Sequence, residues 1–556
     1  MSISFFTSLK KDYIVLFFIL LLAIFLRFYN LNAAPPSASL DEASIGWNAY
    51  SVLHTGRDEY NQFPLISQRG YDDWRRSTYL FLTIPTIGLF GLNAFAERLP
   101  AVILSILTVF SSFWIVRFLF AKETKFARLT SLLVPLLLTI SPWHVYISRL
   151  GHESNACLSF LIFGMAFFLW GEKTKKFVLI FLSFVFFTLS MISYYSGQIF
   201  IPVLIVALFI LYRKNIFKII FTNKKTIVAS IVFAIFFGII FANVFSPASL
   251  TRFQGTSTFT PDAHGDLYKE MVLLHNSAVK QKNIVGSIFY NRRFYPIIVW
   301  AEGYVSHFDP RWLFFNAYQD PFKLPNTGLL YIWELPFILL GIYIVATTKE
   351  LSTQSKLLIF LWFLLGPLPA SVATQTPHAM RSYNFLPTWQ LFTAAGLVYI
   401  FYTCKKIKIV SVVIFGIIFI YSIATLYKNY FIIFPKEESE PYQYAMKATI
   451  QFLNQNKNNY KKIIVSNQNN LYQSYMFYLF YSKYDPKKYQ QSGGTISGGF
   501  RQTHVIDNIA FRPIDWKNEE KETLLIGNPS DFPTNSLILF SANYLDGKEA
   551  VIAKKK

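Results

Sequence analysis

The sequence predicts an α-helical protein that crosses a membrane many times and ends in a small extracytoplasmic α/β domain. Of its 556 residues, 53% are hydrophobic and 58 are Phe, which is more apolar surface than a soluble protein of this size needs. Apolar runs of about 17–20 residues recur, and each is long enough to cross the hydrocarbon core of a bilayer. Lys and Arg cluster in short loops between these runs, as in cytoplasmic loops. The net charge of +21 therefore reflects membrane topology, and nucleic acid is not an expected partner.

The first apolar run covers about 13–31 and follows Lys10 and Lys11. It is longer than the core of a usual signal peptide, so we expect a retained anchor with a cytoplasmic N-terminus. A cleaved signal is the alternative, because Asn32-Ala33-Ala34 weakly resembles a cleavage site. Further runs bring the expected number of transmembrane helices to about eleven. They lie at about 99–119, 129–147, 154–170, 177–193, 197–212, 226–245, 328–347, 356–372, 384–403 and 407–427.

The charge pattern also predicts which long segments lie outside the membrane. Basic loops before and after it place residues 32–98 outside as one segment. Within it, the apolar run at about 77–90 has roughly fourteen residues, too short for a span and suited to an interfacial helix. A second large outer loop covers 246–327, and the membrane domain as a whole covers 1–427.

Residues 428–556 follow the last predicted span and read as an extracytoplasmic α/β domain. The stretches KKIIVSN, TLLIGN and SLILFS predict short strands, and LYQSYMFYLFYSKY predicts an aromatic helix. The stretch QQSGGTISGGF lacks the Gly-Lys-Ser/Thr of a phosphate loop, so a flexible loop is the favoured interpretation. We find no nucleotide-binding fingerprint in the sequence and expect no nucleotide or redox cofactor.

An acidic pair, Asp41-Glu42, stands about ten residues after the first span, at the outer membrane surface. A carboxylate there can accept a proton from a substrate or hold a metal ion. The same outer segment contains two further acidic pairs: Asp58-Glu59 and Asp72-Asp73. Composition does not rank the three pairs.

Other charged and polar residues also gather where the spans meet the outer surface. The short loop ISRLGHESN carries Arg149, His152 and Glu153, and the loop TPHAMRSYN carries His378 and Arg381. The spans themselves are nearly free of charge, whereas transporters place polar residues along a path within the membrane. This distribution favours a reaction at the outer leaflet over passage through the bilayer.

Structural interpretations stand beside these functional ones. Taken alone, Asp41 is interpreted as a solvated loop carboxylate. Glu153 is as well explained as a helix cap as it is as a site residue, and Arg98 is interpreted as an interfacial anchor. His152-Glu153 begins like a zinc-protease motif, but Ala156 stands where the second His would be.

With these motifs in order, the chain resembles bacterial membrane glycosyltransferases of the GT-C class. It is similar to the group of protein O-mannosyltransferases and lipid A aminoarabinose transferases. The stretches that carry the resemblance are LDEASIGWNAY, TGRDEY, GLNAFAERLPAVILSILTV, SPWHVYISRLGHESN, LLYIWELPFILLG, PHAMRSYNFLP and, in the tail, FYLFYSKYDPKKYQ. Each is weak by itself, and their order and spacing are more specific.

The resemblance implies transfer of a sugar from a polyprenyl-phosphate donor to an acceptor hydroxyl outside the plasma membrane, with inversion. The acceptor is a protein, a lipid or a glycan. By this resemblance Asp41 is the catalytic base and Glu42 helps to place the acceptor, while His152 and Glu153 form a second polar group. The candidates for the donor phosphate, suited by charge and forked hydrogen bonds, are Arg57, Arg75, Arg149, His378 and Arg381.

Relatives often carry a Lys-Pro-Pro turn late in the first outer segment, where this chain has Arg75-Arg76-Ser77.

The sequence leaves open whether the protein binds a divalent cation, because no dedicated ligand cluster stands out. Two other classes of function also remain: a transporter or flippase of lipid-linked sugars, and a non-catalytic scaffold that presents the tail domain. The sequence does not identify the sugar or the acceptor.

Overall fold

The chain divides into two units in a computed structural model that describes residues 3–260, 265–315, 322–403, 408–499, 502–533 and 537–556. The first, here called the helical unit, comprises Met1–Leu26, Leu104–Ile147 and Ser154–Ile423. The second, here called the mixed unit, comprises Arg27–Ile103, Ser148–Glu153 and Ala424–Lys556. The predicted boundary at residue 428 lies near the start of the last segment, but the first outer segment belongs to the same unit as the tail.

Helices make up nearly all of the regular structure in the helical unit. Those lying wholly or mostly within it are Ile3–Phe28, Ala94–Leu119, Lys125–Ile140, Pro142–Ser148, Glu153–Thr174, Phe177–Ser193, Tyr195–Ile220, Lys224–Ala242, Pro247–Thr256, Gly265–Lys280, Ile284–Phe289, Tyr295–Ser306, Pro310–Phe314, Glu334–Thr347, Thr353–Leu365, Leu368–Ser371, Thr388–Thr403 and Lys408–Tyr427. The predicted outer loop 246–327 therefore contains five helices of its own within its described residues.

Six of the described helices are long and apolar enough to cross a membrane, or seven if a pair bent by 59° counts as one span. The bent pair is Lys125–Ile140 with Pro142–Ser148. Other predicted spans are shorter helices, such as Phe177–Ser193 with 17 residues and Glu334–Thr347 with 14. The chain is thus a multi-pass membrane protein, and the helices of the described residues do not confirm the predicted count of eleven spans.

Exposure of apolar side chains identifies lipid-facing helices. Lys224–Ala242 has no buried residue although its sequence is almost entirely apolar. A helix that is apolar on all sides and unburied within its own fold needs an apolar solvent. One charged group buried within the helical unit is paired: Asp12, which is fully buried, accepts hydrogen bonds from Arg117 and Arg128.

The mixed unit combines helices with two sheets. Its helices are Leu40–Thr55, Thr78–Phe90, Phe434–Glu437, Met446–Asn456, Ser474–Ser482 and Pro486–Gln491, with a π-helical turn at Lys428–Ile433. Strands β1 (Ser67–Gly70) and β2 (Asp73–Arg76) form an antiparallel hairpin. The 13-residue helix Thr78–Phe90 occupies the run that was predicted to be interfacial.

The tail contributes a six-stranded sheet in the order β4-β5-β3-β6-β8-β7. Its strands are β3 (Ile463–Val465), β4 (His504–Ile506), β5 (Ile509–Phe511), β6 (Leu524–Gly527), β7 (Ile538–Asn543) and β8 (Glu549–Lys555). β3 is parallel to β5 and β6, and the other pairs are antiparallel. The predicted C-terminal α/β domain is confirmed, because three of these strands and the helix Ser474–Ser482 coincide with the predicted ones.

Candidate functional site

The acidic pair begins a helix in the mixed unit. Ser39 caps the helix Leu40–Thr55: its hydroxyl accepts from the Glu42 backbone N–H (3.2 Å). The Glu42 side chain accepts in return from the Ser39 backbone N–H (2.7 Å). This reciprocal capping box satisfies backbone donors that the first turn of a helix leaves unpaired. It also fixes Asp41 and Glu42 in the first turn, where negative charge is favoured by the helix dipole.

The Glu42 carboxylate is buried and fully engaged. Arg98 donates to both oxygens, from Nε to Oε1 (2.8 Å) and from Nη2 to Oε2 (3.0 Å), and the Gly151 N–H donates to Oε1 (3.0 Å). Burial alone would raise the pKa of Glu42, but the charge and hydrogen bonds of Arg98 outweigh it and hold the pKa below its ordinary value. This geometry favours a structural role and does not favour the predicted task of placing the acceptor.

Arg98 is a structural centre of the unit rather than the interfacial anchor expected from sequence. Its guanidinium is completely buried and also donates to the backbone carbonyls of Leu31 (2.7 Å), Pro35 (3.1 Å) and Ser37 (2.5 Å). A buried guanidinium needs partners for all its donors, and here the carboxylate and carbonyls supply them. Arg98 therefore ties the end of the first helix to the start of the helix that carries Asp41.

Asp41 differs from its neighbour because its side chain is 41% exposed, against 1% for Glu42. Arg75 Nη2 donates to Asp41 Oδ1. His152 Nε2 lies 3.9 Å from Asp41 Oδ2 and 3.2 Å from the Glu153 carboxylate. The structure thus brings together four of the predicted site residues, Asp41, Arg75, His152 and Glu153, around one accessible carboxylate.

Arg75 reaches Asp41 from strand β2 of the hairpin. Its guanidinium carbon lies 5.2 Å from the ring centroid of Tyr71. Burial lowers the pKa of Arg75, but the charges of Asp41 and Glu153 raise it by more, so the side chain stays protonated. Within the part of the chain that the structure describes, Arg75 Nη1 has no hydrogen-bond partner. Although this chain lacks the Lys-Pro-Pro turn, Arg75 supplies a positive charge in this region.

The positions of Arg149 and Arg57 do not favour their predicted role of binding the donor phosphate. Arg149 is buried and donates to the carbonyls of Arg27 (2.8 Å), Tyr29 (2.8 Å) and Ala34 (2.7 Å), at the C-terminal end of the first helix. Such carbonyls lack partners within the helix and attract cations. Arg57 follows the other end of the Asp41 helix, about 24 Å along its axis, and donates to the Asn61 carbonyl (3.0 Å).

His378 and Arg381 lie in the helical unit. The Arg381 backbone N–H donates to His378 Nδ1 (3.3 Å), and its Nη1 donates to the Thr374 carbonyl (2.6 Å). Arg381 lines a cavity of about 280 Å³ whose wall is mainly apolar and aromatic. A second arginine, Arg252, shares the cavity wall and lies 4.9 Å from the ring centroid of Tyr195. Sequence reasoning did not single out Arg252.

The acidic pair Asp58-Glu59 closes a turn and binds the tail. Asp58 Oδ1 accepts from the backbone N–H groups of Tyr60 (3.0 Å) and Gln62 (2.9 Å), which closes a turn. The buried Glu59 accepts from Asn48 Nδ2 (3.1 Å) and from two tail hydroxyls, Tyr475 (3.1 Å) and Thr495 (2.9 Å). Exposure therefore separates Asp41 from Asp58, Glu59 and Glu42, which composition could not do.

No group of three or more His, Cys, Asp or Glu side chains able to hold a metal ion is found among the described residues.

Glu97 is fully buried, and within the described part of the chain neither of its carboxylate oxygens has a hydrogen-bond partner. A methyl group added at Gly151 would lie within 2.0 Å of this carboxylate, so glycine is required there. The loop that carries His152 thus depends on a close approach to Glu97.

Comparison with protein-family models gives no match, and neither does comparison with curated protein sequences. Solved structures do match. The oligosaccharyltransferase AglB from Archaeoglobus fulgidus, in complex with an inhibitory peptide and a dolichol-phosphate, is 11% identical with a TM-score of 0.51. The match covers 85% of this chain and 64% of AglB, so the chain spans less than two thirds of that protein. The fold is that of the GT-C glycosyltransferases.

A second archaeal structure, the Archaeoglobus fulgidus oligosaccharyltransferase with Zn and sulfate, matches at 11% identity and a TM-score of 0.50, covering 84% of this chain and 61% of its own. ArnT from Cupriavidus metallidurans, bound to undecaprenyl phosphate, is 11% identical over 98% of this chain and 97% of its own, with a TM-score of 0.42. The two archaeal matches confirm the GT-C fold class expected from the order of the sequence motifs.

Stability of the mixed unit should depend on the protonation of Glu59. Burial raises the pKa of Glu59 from 4.5 to about 7, although hydrogen bonds from Asn48, Thr495 and Tyr475 act to lower it. The folded state therefore holds a proton that the unfolded chain releases near pH 4.5, so stability falls as pH rises between about 4.5 and 7. The free-energy change is on the order of 3 kcal/mol.

We expect Glu59→Gln to remove this slope, since a neutral amide keeps its protonation state. Melting temperatures of the detergent-solubilised protein between pH 5 and pH 8 measure the effect. The control is Glu520→Gln, which changes an exposed carboxylate of the same unit. A slope unchanged in Glu59→Gln would show that Glu59 is ionised throughout this range.

Proposed function

We propose that the chain is an integral-membrane glycosyltransferase that moves a sugar from a polyprenyl-phosphate donor to an acceptor hydroxyl on the extracytoplasmic side. One observation carries the proposal. Within a GT-C fold, an accessible carboxylate, Asp41, stands at a helix N-terminus between a fixed arginine and a histidine, while its neighbour Glu42 is buried. The dolichol-phosphate in the AglB complex supports a lipid-phosphate donor.

In this mechanism Asp41 is the general base. As the acceptor oxygen attacks the anomeric carbon, its proton passes to the Asp41 carboxylate. The bond from that carbon to the phosphate oxygen breaks on the opposite face, and polyprenyl phosphate leaves with the electron pair. Attack and departure on opposite faces invert the anomeric centre. The apolar helices supply an environment for the prenyl chain of the donor.

Arg75 has two tasks in the proposal. Its charge stabilises the ionised form of Asp41, which is the form that accepts a proton. Its Nη1, which has no hydrogen-bond partner among the described residues, is proposed to bind the donor phosphate. His152 and Glu153, which lie beside the same carboxylate, are proposed to orient it.

Arg381, with His378 beside it, is proposed as a contact for the donor phosphate, and Arg252 is added to this set. Two guanidinium groups in a mainly apolar cavity suit an anionic head group on an apolar chain. The N-terminus is proposed to be cytoplasmic and the C-terminal domain extracytoplasmic, as the charge pattern of the loops indicates.

We expect Asp41→Asn to lower sugar transfer by about 100- to 10,000-fold, because it removes the base and little else. Transfer is measured with purified protein, a radiolabelled polyprenyl-phosphate sugar and a membrane extract as acceptor. Asp485→Asn is the matched control: Asp485 is also an exposed carboxylate at a helix N-terminus of the mixed unit, and it only caps its own helix. Transfer by Asp41→Asn within tenfold of wild type would overturn the assignment.

For Arg381→Ala we expect a rise of roughly tenfold or more in the apparent KM for the donor, from the loss of a charge-assisted hydrogen bond. Steady-state transfer at varied donor concentration measures it. Arg311→Ala serves as control, because Arg311 is an exposed arginine of the helical unit paired with Asp309. An unchanged KM for the donor in Arg381→Ala would argue against a phosphate role.

A further inference from the structure

The hairpin that brings Arg75 to Asp41 has an unfavourable turn. Tyr71 and Asp72 join its strands, and both have left-handed backbone conformations, with φ of 56° and 62°. Two-residue hairpin turns of this kind prefer Asn-Gly, because side chains on left-handed residues cost about 1 kcal/mol or more each. Isolated two-stranded hairpins are marginal in water. The hairpin therefore needs stabilisation from outside its own strands.

The glycine-rich loop of the tail, residues 493–499, supplies that stabilisation. The Gly498 backbone N–H donates to Asp72 Oδ1 (2.9 Å), and the Ser497 hydroxyl donates to Asp72 Oδ2 (2.5 Å). Burial raises the pKa of Asp72, but these two hydrogen bonds and the charge of Arg69 outweigh it and hold the pKa below its ordinary value. Asp72 is therefore an ionised carboxylate held by two hydrogen bonds from the tail and by one from Arg69 of strand β1 (2.5 Å).

A second contact, at Thr495, holds the middle of the same loop. The Thr495 backbone N–H donates to the Glu59 carbonyl (2.8 Å), and the Thr495 hydroxyl donates to the Glu59 carboxylate (2.9 Å). Gln490, on the helix before the loop, donates to Ser51 Oγ (3.0 Å) and to Thr55 Oγ1 (2.9 Å) of the Asp41 helix. Both structures that carry Asp41 and Arg75 are thus bound by one short segment of the tail.

Close packing explains the glycines of this loop. A Cβ at Gly498 would lie 2.3 Å from the Tyr60 hydroxyl and 3.0 Å from the Tyr71 Cα. At Gly494, which has a left-handed φ of 63°, a Cβ would lie 2.7 Å from the Glu59 carbonyl oxygen. The glycines let the loop backbone reach the turn directly, so the stretch is a packed element and not the free loop expected from its composition.

We propose that the glycine-rich loop is a positioning element for glycosyl transfer: by holding Asp72 and Glu59 it fixes the hairpin, and thereby sets Arg75 against Asp41. Ser497, Gly498 and Asp72 are then positioning residues that act through Arg75. The inference rests on the proposed function. It gives the C-terminal domain a role in catalysis. It also explains why the glycine-rich stretch is packed against the acidic residues Glu59 and Asp72.

The first test is steady-state transfer by Ser497→Ala, which removes one hydrogen bond to Asp72 and no bulk. We expect kcat to fall about three- to tenfold, as a hydrogen bond to a charged group implies, with the apparent KM for the donor within twofold of wild type. The acid limb of the pH–rate profile should move to higher pH, because Arg75 is then less well placed to keep Asp41 ionised.

Ser492→Ala is the matched control, because Ser492 directly precedes the loop and its hydroxyl donates to the Tyr489 carbonyl (2.8 Å) and not to the hairpin. It should match wild type in kcat and in pH profile. Gly498→Ala adds a steric test, for which we expect a larger loss of kcat than in Ser497→Ala. Equal profiles for Ser497→Ala and Ser492→Ala would overturn the proposal.

A double-mutant cycle shows whether the loop acts through Arg75. If it does, adding Ser497→Ala to Arg75→Ala causes no further loss of kcat; an additive loss would contradict the proposal. Hydrogen exchange of amides 67–76 separates this test from the proposed function, since it needs no activity. Faster exchange in Ser497→Ala than in Ser492→Ala supports the docking even if wild type transfers no sugar, and equal exchange overturns it.

Discussion

The buried ion pair between Glu42 and Arg98 is the interaction on which the rest of the candidate site depends. A paired charge removed from water is costly unless every donor and acceptor finds a partner. Here the Ser39 and Gly151 N–H groups donate the remaining hydrogen bonds to Glu42. The carbonyls of Leu31, Pro35 and Ser37 accept the remaining hydrogen bonds of Arg98. The pair fixes the start of the helix whose first turn presents Asp41. Two adjacent carboxylates thereby acquire opposite roles, one structural and one open to substrate.

The residues around the Glu42–Arg98 pair are held in place by similar contacts. Gly151, held by Glu42, begins the short loop that presents His152, and the hairpin brings Arg75 to the other side of Asp41. Arg149 neutralises carbonyls at the end of the first helix, so its charge stabilises the framework. The result is a rigid frame around one half-exposed carboxylate, which is the arrangement that general-base catalysis needs.

Sequence reasoning predicted the GT-C fold class, the tail domain and the residues gathered at Asp41, because apolar length, charge pattern and motif order are local properties. It assigned Glu42 to the acceptor, although Ser39-Leu40-Asp41-Glu42 fits the capping-box pattern and pointed to a structural role. The partners of Arg98 and Arg149 could not be predicted, because they lie 56 or more residues away in the chain. The docking of the glycine-rich loop on Asp72 is a contact of the same long-range kind.

The central claim is that Glu42 supports the structure while Asp41 does the chemistry, and thermal unfolding tests it directly. Melting of Glu42→Gln and Asp41→Asn in detergent should differ. Glu42→Gln leaves a buried guanidinium without its counter-charge, a loss of about 3–5 kcal/mol, so its melting temperature should fall by several degrees. Asp41→Asn should lose much less stability, because Asp41 is half-exposed and Arg75 keeps the charge of Glu153 nearby. Equal melting temperatures for the two variants would contradict the account.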